Sequence, residues 1–296
     1  MRISIIIVTY NSLDLIKDCI DSIFTNIDIE KKDIEIIVVD NSSDMEGEKL
    51  KLFLDNNYLN QIKFIKNKNL GYGHGNNLGV RAAQGDIVLI MNPDVRIKDP
   101  LFLKTLAYFN DPSVASVGYQ QINNVSNFSY YRLPELHIPI LYTIQNRFDN
   151  NRGKFNQHKY SLSGAFVFFR KSDFIIAEMY DEDMFMYLEE PDIARRLNIM
   201  NKKIIFDKTL KYVHLMNHKD DYNEKLLDIG TESIAIYFTK HNLDLNKYIN
   251  SRIFELKLHK LLFTLTCNFS RVKKAQAYIN SLVKAYEYQK RYLNNK

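Results

Sequence analysis

The chain has 296 residues, 46% of them apolar and 25% charged, with only ten Gly and six Pro. That composition excludes collagen-like, low-complexity and wholly disordered classes, and the length is enough to bury a sizeable core. Cys19 and Cys267 stand near opposite ends and form no spaced framework, so a zinc ribbon, a CxxC redox site and a disulfide scaffold are excluded and a reducing cytoplasm fits best. The formal net charge of +5 is uneven: residues 252–296 carry ten Lys/Arg against Glu255 and Glu287, and the remainder is slightly acidic.

The opening MRISIIIVTYNS places one Arg before a short apolar run that lacks both the length of a bilayer span and a small-residue cleavage site, so it reads as a buried strand. Ile3 to Thr9 is β-branched, Leu13 to Phe24 sets Leu15, Ile16, Cys19, Ile20 and Ile23 at helical spacing, and Ile34 to Asp40 is a second buried run. Together they predict a βαβ unit. An amphipathic stretch (45–54), a strand (62–65), a Gly/Asn loop with a short helix (67–83) and a strand (87–91) follow, predicting a parallel, doubly wound sheet with ligands at the carboxyl ends of its strands. Residues 123–159 read as an irregular insertion or acceptor-side lid. A strand at 161–170, a helix at 191–200 and a strand at 203–206 come next, and helical patterns fill the chain after His218. The expected units are 1–220 and a basic helical extension, 221–296.

Three polar clusters fall at the ends of the predicted strands: Thr9-Tyr10-Asn11, Asp40-Asn41-Ser42-Ser43 and Asn92-Pro93-Asp94. A carboxylate at Asp40 can accept from a ribose hydroxyl or a base N–H, or simply close an Asx turn, and Asn11 or Ser12 can equally cap the next helix. Asn69 to Gly79 holds four of the ten glycines; Gly71, Gly73 and Gly75 permit close backbone approach to a ligand, and Asn76 or Asn77 can open the following helix. The segment satisfies neither GxGxxG nor a P-loop, which counts against a dehydrogenase or a P-loop ATPase.

Pro93 fixes the backbone so that Asp94 points from the sheet edge, where its carboxylate can hold Mg²⁺ or Mn²⁺ against a diphosphate, with His214 a candidate second ligand. The acidic run DEDMFMYLEEPD places Pro191 for helix position N1, with Glu190 as N-cap and Glu189 and Asp192 beside it at a positive helix end. A carboxylate there suits a general base for a hydroxyl, or serves as ordinary capping.

Taken together, VTYNS, VVDNSS, the Gly/Asn loop, NPD, LSGAF and EEPD, in this order over residues 1–220, resemble the family 2 glycosyltransferases. Among these they look most like the branch with bacterial rhamnosyltransferases. The resemblance implies a GT-A fold, a Rossmann-like mixed α/β sheet flanked by helices, here with a C-terminal helical extension. It implies nucleotide binding by Thr9, Tyr10, Asn11, Asp40, Asn41, Gly71, Gly73, Asn76 and Asn92. It further implies a divalent cation, Mg²⁺ or Mn²⁺, at Asp94 and His214, an acceptor side shaped by Gly164 and Ala165, and a catalytic base at Glu190, with Glu189 and Asp192 as alternatives. Asn92 replaces the first Asp of the family's DxD, and Glu190 replaces its usual Asp.

The expected activity is inverting transfer of a sugar from a nucleotide donor, dTDP-L-rhamnose first and a UDP-hexose next. The acceptor is a hydroxyl of a growing lipid-linked surface polysaccharide such as O-antigen or capsule. Expected partners are that donor, a glycan or lipid-linked glycan, a second copy of the chain in a homo-oligomer, and no nucleic acid. The expected location is the cytoplasm at the inner face of the plasma membrane, where residues 252–296 either lie on anionic lipid or form the solvated face of a helical hairpin. The rivals are a sugar nucleotidyltransferase, whose Gly-rich Arg-containing loop is replaced by TYNS, and a non-catalytic nucleotide- or glycan-binding member of an assembly complex.

Overall fold

A computed structural model describes residues 1–59, 61–123, 128–215 and 223–295. The N-terminal half alternates as the periodicity requires: β1 (Ile3–Thr9), α1 (Leu13–Thr25), β2 (Ile34–Asp40), α2 (Asp44–Tyr58), β3 (Ile62–Lys66), α3 (Tyr72–Ala82) and β4 (Ile87–Met91). Strands β3, β2, β1 and β4 pair in parallel, Thr9 opposite Asp40 and Asp40 opposite Lys66, so their polar carboxyl ends share one edge. The buried faces of β1, β2 and β4 pack on α1 and α2 on one side, through Ile16, Ile20 and Leu50, and on α3 on the other, through Val80.

The sheet is mixed rather than wholly parallel. After β5 (Val95–Ile97), α4 (Phe102–Tyr108) and β6 (Val114–Ile122) come β7 (Tyr130–Arg132), α5 (Leu141–Arg152), β8 (Tyr160–Leu162) and β9 (Phe166–Arg170). Then follow α6 (Lys171–Ile176), α7 (Glu189–Ile199) and β10 (Lys203–His214). The eight-stranded order is β3-β2-β1-β4-β9-β6-β10-β5, with β9 antiparallel to β4 and β6, and β5 antiparallel to β10. The expected strand at 161–170 is two strands in different sheets, because the chain turns at Ser163-Gly164-Ala165 and β8 pairs instead with β7. The expected strand at 203–206 continues to His214, with an irregularity between Asp207 and Lys211. The 123–159 insertion is more ordered than its composition suggests: Asn150 accepts from the backbone N–H of Ser129 at 2.8 Å and donates to Tyr130 O at 2.9 Å, pinning α5 to β7.

The C-terminal part is helical: α8 (Glu224–Lys240), α9 (Leu245–Leu265), α10 (Phe269–Val283) and α11 (Ala285–Asn294). The expected boundary at 220–221 and His218 lie outside the described residues. These helices share a third core of Tyr237, Phe238, Leu245, Ile249 and Leu282, with Met184 from the segment before α7. They also reach into the insertion, where Glu255 accepts from the Ile140 N–H at 3.0 Å and pairs with His137 at 3.0 Å. Among the described residues no helix is long and apolar enough to cross a membrane.

Candidate active site

The carboxyl ends of β1 and β2 meet at Asp40, which is fully buried. Its Oδ1 accepts from Thr9 Oγ1 at 2.9 Å and Ser42 Oγ at 2.6 Å. Its Oδ2 makes no hydrogen bond and stands 3.4 Å from Lys66 Nζ. A buried carboxylate oxygen left without a donor is costly unless a donor arrives, so this corner has the chemistry to receive a ligand O–H or N–H. Asn11, in the left-handed conformation at φ 51°, donates its backbone N–H to Ser42 Oγ at 2.8 Å. Tyr10 is 59% exposed at the rim. Asn41 is an internal strut, accepting from Asn67 Nδ2 at 2.8 Å and donating to Gly71 O at 3.3 Å.

The glycine segment corrects the expectation of an open ligand-cradling loop. The helix starts at Tyr72, so Gly73, Gly75, Asn76 and Asn77 lie within α3. Gly71 alone of that motif has positive φ, 118°, and a Cβ there would stand 2.4 Å from Phe185 O. Gly73 packs on Tyr180, and buried Asn76 returns its amide to Tyr72 O at 3.0 Å. These three residues are packed against the protein's own chain, and the structure does not open them to a ligand. Asn77 joins α3 to the segment ahead of α7, exchanging hydrogen bonds with the Tyr180 backbone at 2.8 and 3.0 Å.

Asn92 and Asp94 leave the end of β4. The Tyr72 hydroxyl lies within hydrogen-bond reach of both Asn92 Oδ1, at 3.0 Å, and Gly164 O, at 2.9 Å. Asp94 Oδ2 is 3.3 Å from His214 Nε2. Burial alone would raise the Asp94 carboxyl, but the hydrogen bond and charge of His214 outweigh it and hold the group below the usual carboxylate range. The other ring nitrogen, His214 Nδ1, lies 3.3 Å from Gln121 Oε1, a backing arrangement typical of ligating histidines. An ionised carboxylate and an imidazole at one point fit Mn²⁺ or Mg²⁺. Among the described residues no group of three or more such donors exists, so substrate oxygens and water would have to fill the remaining positions.

The acidic cluster separates into unlike groups. Leu188 takes the left-handed conformation and α7 begins at Glu189, so Pro191 is the third helical residue rather than N1 and Glu190 is not the N-cap. Glu189 is 1% exposed, its Oε1 without a hydrogen-bond partner; burial and then the Glu190 charge push its pKa well above 4.5. Glu190 is also raised, chiefly by burial, against the N–H groups of Glu190 and Gly164 that favour its charged form. Its carboxylate lies on Gly164: a Cβ at that glycine would be 2.2 Å from Glu190 Oε1. Asp192 points elsewhere. Fully buried, it bonds His241 Nε2 at 2.7 Å, Lys240 Nζ at 3.2 Å and Arg196 Nε at 3.0 Å. Burial opposes its ionisation, yet His241, Arg196 and Lys240 pull its pKa down to about 2. A carboxylate so buried and so paired is a poorer candidate for a base than Glu190.

A cleft of about 620 Å³ brings together Asn92, Gly164, Ala165, Glu189, Glu190 and His214. Its far wall comes from residues that no motif marks: Tyr131, Arg132 and His137 of the insertion, and Ile234, Tyr248 and Arg252 of the C-terminal helices. The apolar and basic periodicity of the last helices could have flagged that they face something, but not what.

Residues 4–175 match the family model "Glycosyl transferase family 2". The chain is 24% identical to rhamnosyltransferase WbbL of Escherichia coli strain K12 over 232 residues, covering 72% of this chain and 83% of that protein. Its fold is similar to that of the mannosyltransferase PcManGT from Pyrobaculum calidifontis, solved with GDP-Man and Mn²⁺, with TM-score 0.60, 16% identity and coverage of 96% of this chain and 75% of the other. It is likewise similar to residues 1–349 of S. aureus TarS solved with UDP-GlcNAc, with TM-score 0.56, 18% identity and coverage of 96% and 81%. The fold is GT-A with added C-terminal helices, and the chain belongs to glycosyl transferase family 2 as a nucleotide-sugar-dependent glycosyltransferase.

Proposed function

We propose that this enzyme transfers a sugar, with inversion, from a nucleotide donor to a hydroxyl of a growing, lipid-linked bacterial surface polysaccharide, with dTDP-L-rhamnose the leading donor and a UDP-hexose next. The observation that carries the reading is that the raised carboxyl of Glu190 shares one cleft with Asn92 and with His214, the partner of Asp94. The similarity to a rhamnosyltransferase over most of both chains supports the donor.

Asp40, Thr9, Tyr10 and Asn11 hold the nucleoside, with Asp40 Oδ2, ion-paired with Lys66 but without a hydrogen bond, accepting from ribose or base. Asp94 and His214 would hold the divalent cation, which when bound offsets charge on the departing nucleoside diphosphate. Glu190 takes the acceptor hydroxyl proton as that oxygen bonds the anomeric carbon and the bond to the diphosphate breaks, inverting the centre. Gly164 and Ala165 line the acceptor side.

Exposed Leu261, Leu262, Leu265 and Phe269 surround the turn between α9 and α10, with exposed Lys257, Arg271 and Lys273 close in sequence. This hairpin end is the part that would meet anionic lipid. Co-sedimentation with anionic vesicles that is unchanged in Leu265→Asp/Phe269→Asp would remove that contact from the reading.

The test of the function is a thermal-shift titration with UDP, dTDP, GDP and CMP, each with Mn²⁺, Mg²⁺ or EDTA, followed by release of nucleoside diphosphate from dTDP-L-rhamnose and UDP-hexoses. Metal-dependent stabilisation by dTDP or UDP is expected. No stabilisation by any nucleotide would overturn the site assignment.

A further inference from the structure

Tyr72, the first residue of α3, lines the cleft beside Asn92 and Gly164. Its backbone N–H donates to Phe185 O at 2.8 Å, and its ring lies 6.3 Å from that of Tyr180, centroid to centroid. From that anchor the hydroxyl stands 3.0 Å from Asn92 Oδ1 and 2.9 Å from Gly164 O. Gly164 completes the path to Glu190, because its N–H bonds the Glu190 carboxylate while its C=O faces Tyr72. The Asn92 backbone belongs to the same arrangement, donating its N–H to Ala165 O at 2.9 Å.

A phenol has one proton and cannot serve two carbonyl oxygens at full strength. Burial, followed by the charges of Glu190 and Glu189, holds the Tyr72 pKa well above 10, so that proton is present throughout the pH range of an enzyme assay. The conflict disappears when the Asn92 amide is turned about its last torsion, which exchanges two groups of nearly equal size. Asn92 Nδ2 then donates to Tyr72 Oη, and Tyr72 donates to Gly164 O. A carboxylate at position 92 has no proton to give and, being charged, takes the phenol proton for itself, leaving the Gly164 carbonyl without it. Gly164 has no side chain to restrict its two peptide groups, so an anchored carbonyl is what keeps its N–H directed at Glu190.

We propose that Tyr72 is a positioning residue that sets Glu190 through Gly164, and that position 92 carries an amide rather than a carboxylate because this hydroxyl has one proton to give. The kinetic consequences rest on the reading of Glu190 as the base; the hydrogen-bond chain does not. Glu190 is faced by Glu189 on its own helix, Tyr72 on α3, Tyr131 on β7 and Tyr180 ahead of α7. Of these, Tyr72→Phe alters one oxygen and leaves the rest in place.

The test is a double-mutant cycle on the full chain: the parent, Tyr72→Phe, Asn92→Asp and the two combined. The charge added by Asn92→Asp acts with and without the hydroxyl and cancels across the cycle, so what remains is the competition for the phenol proton. The first readout is the titration midpoint of Glu190, followed by NMR of isotopically labelled glutamate carboxyls and assigned by the signal lost in Glu190→Gln; it needs no substrate. Tyr72→Phe should raise that midpoint by about one pH unit, because the Gly164 N–H that favours the charged form is loosened, with Tm close to that of the parent. Asn92→Asp should raise it too, and by much less in the Tyr72→Phe background. Asn92→Leu, which offers the phenol no competing acceptor, should leave it where the parent has it. The second readout is transfer, where kcat should fall about tenfold in Tyr72→Phe and in Asn92→Asp, and by no more than about twofold further when the two are combined. A Glu190 midpoint unmoved in Tyr72→Phe, a rise in Asn92→Leu, or shifts that simply add in the double variant overturns the proposal. Midpoints that move as expected in a chain that transfers no sugar sink the proposed function alone; transfer and midpoint both unchanged in Tyr72→Phe sink the positioning role alone.

Discussion

His241 Nε2 lies 2.7 Å from Asp192 Oδ1, so the residue capping the C-terminus of α8 is bonded to the first turn of the helix that carries Glu190. Asp192 is held ionised with a pKa of about 2, below its unfolded value of 3.8. Its pairing therefore stabilises the fold above pH 4 and is lost as pH falls towards 2, a contribution of about 2 kcal/mol. Urea midpoints measured from pH 6 to pH 2 should show His241→Ala less stable by about 1–3 kcal/mol at pH 6, the gap narrowing in acid.

Glu189 behaves oppositely. Its pKa is raised well above 4.5, so its neutral form stabilises the fold below pH 4.5 and that stability is lost as pH rises through the folded value. Glu189→Gln, neutral at every pH, should abolish this alkaline loss and be more stable than the parent at pH 8. Equal melting temperatures for the two at pH 8 would contradict the assignment.

Glu190→Gln should lower kcat by about 10²–10⁴ while leaving nucleotide affinity within a few-fold. Because the base must be ionised and its pKa is raised, kcat/KM of the parent should fall as the pH drops, with a midpoint above 4.5. A pH-independent rate from 5 to 8 together with an active glutamine variant would move the base elsewhere.

Gly164→Ala places a methyl group 2.2 Å from where Glu190 Oε1 now sits. The carboxylate must swing away, and kcat should drop by about tenfold or more. Donor KM should stay near that of the parent, a split that steady-state kinetics resolves.

Asp94→Asn removes the charge beside His214. Stabilisation by UDP or dTDP with Mn²⁺, about 2.7 kcal/mol at one hundred times Kd, should shrink in this variant to the level that EDTA gives with the parent. Calorimetric titration of Mn²⁺ in the presence of nucleotide checks the same point directly.

Much of the N-terminal half is legible in the sequence because β1, β2 and β4 are buried on both faces and read as unbroken apolar runs ending in polar triplets. Strand direction is not, since an apolar run such as Phe166–Arg170 looks the same parallel or antiparallel. Strand β6 hides for another reason, its period interrupted by Gly118 and the Gln120-Gln121 pair. The start of α7 is misread from Pro191 because Leu188 turns left-handed two residues before the expected cap. The partners that set the environment of Asp192 apart from that of Glu190, Lys240 and His241, lie about 50 positions further on with nothing local to mark them.

Helix α8 and its C-cap contribute Ile234 to the cleft wall and Lys240 and His241 to the Asp192 carboxylate. A recombination event that exchanged the C-terminal helices for another enzyme's would therefore replace one wall of the cleft and two partners of a buried carboxylate in one stroke. Only incoming helices with an ammonium and a ring N–H or equivalent donor at the matching positions would leave α7 intact. The shape of the cleft wall and the integrity of α7 are inherited together in this architecture, which narrows the set of helices such a graft could use.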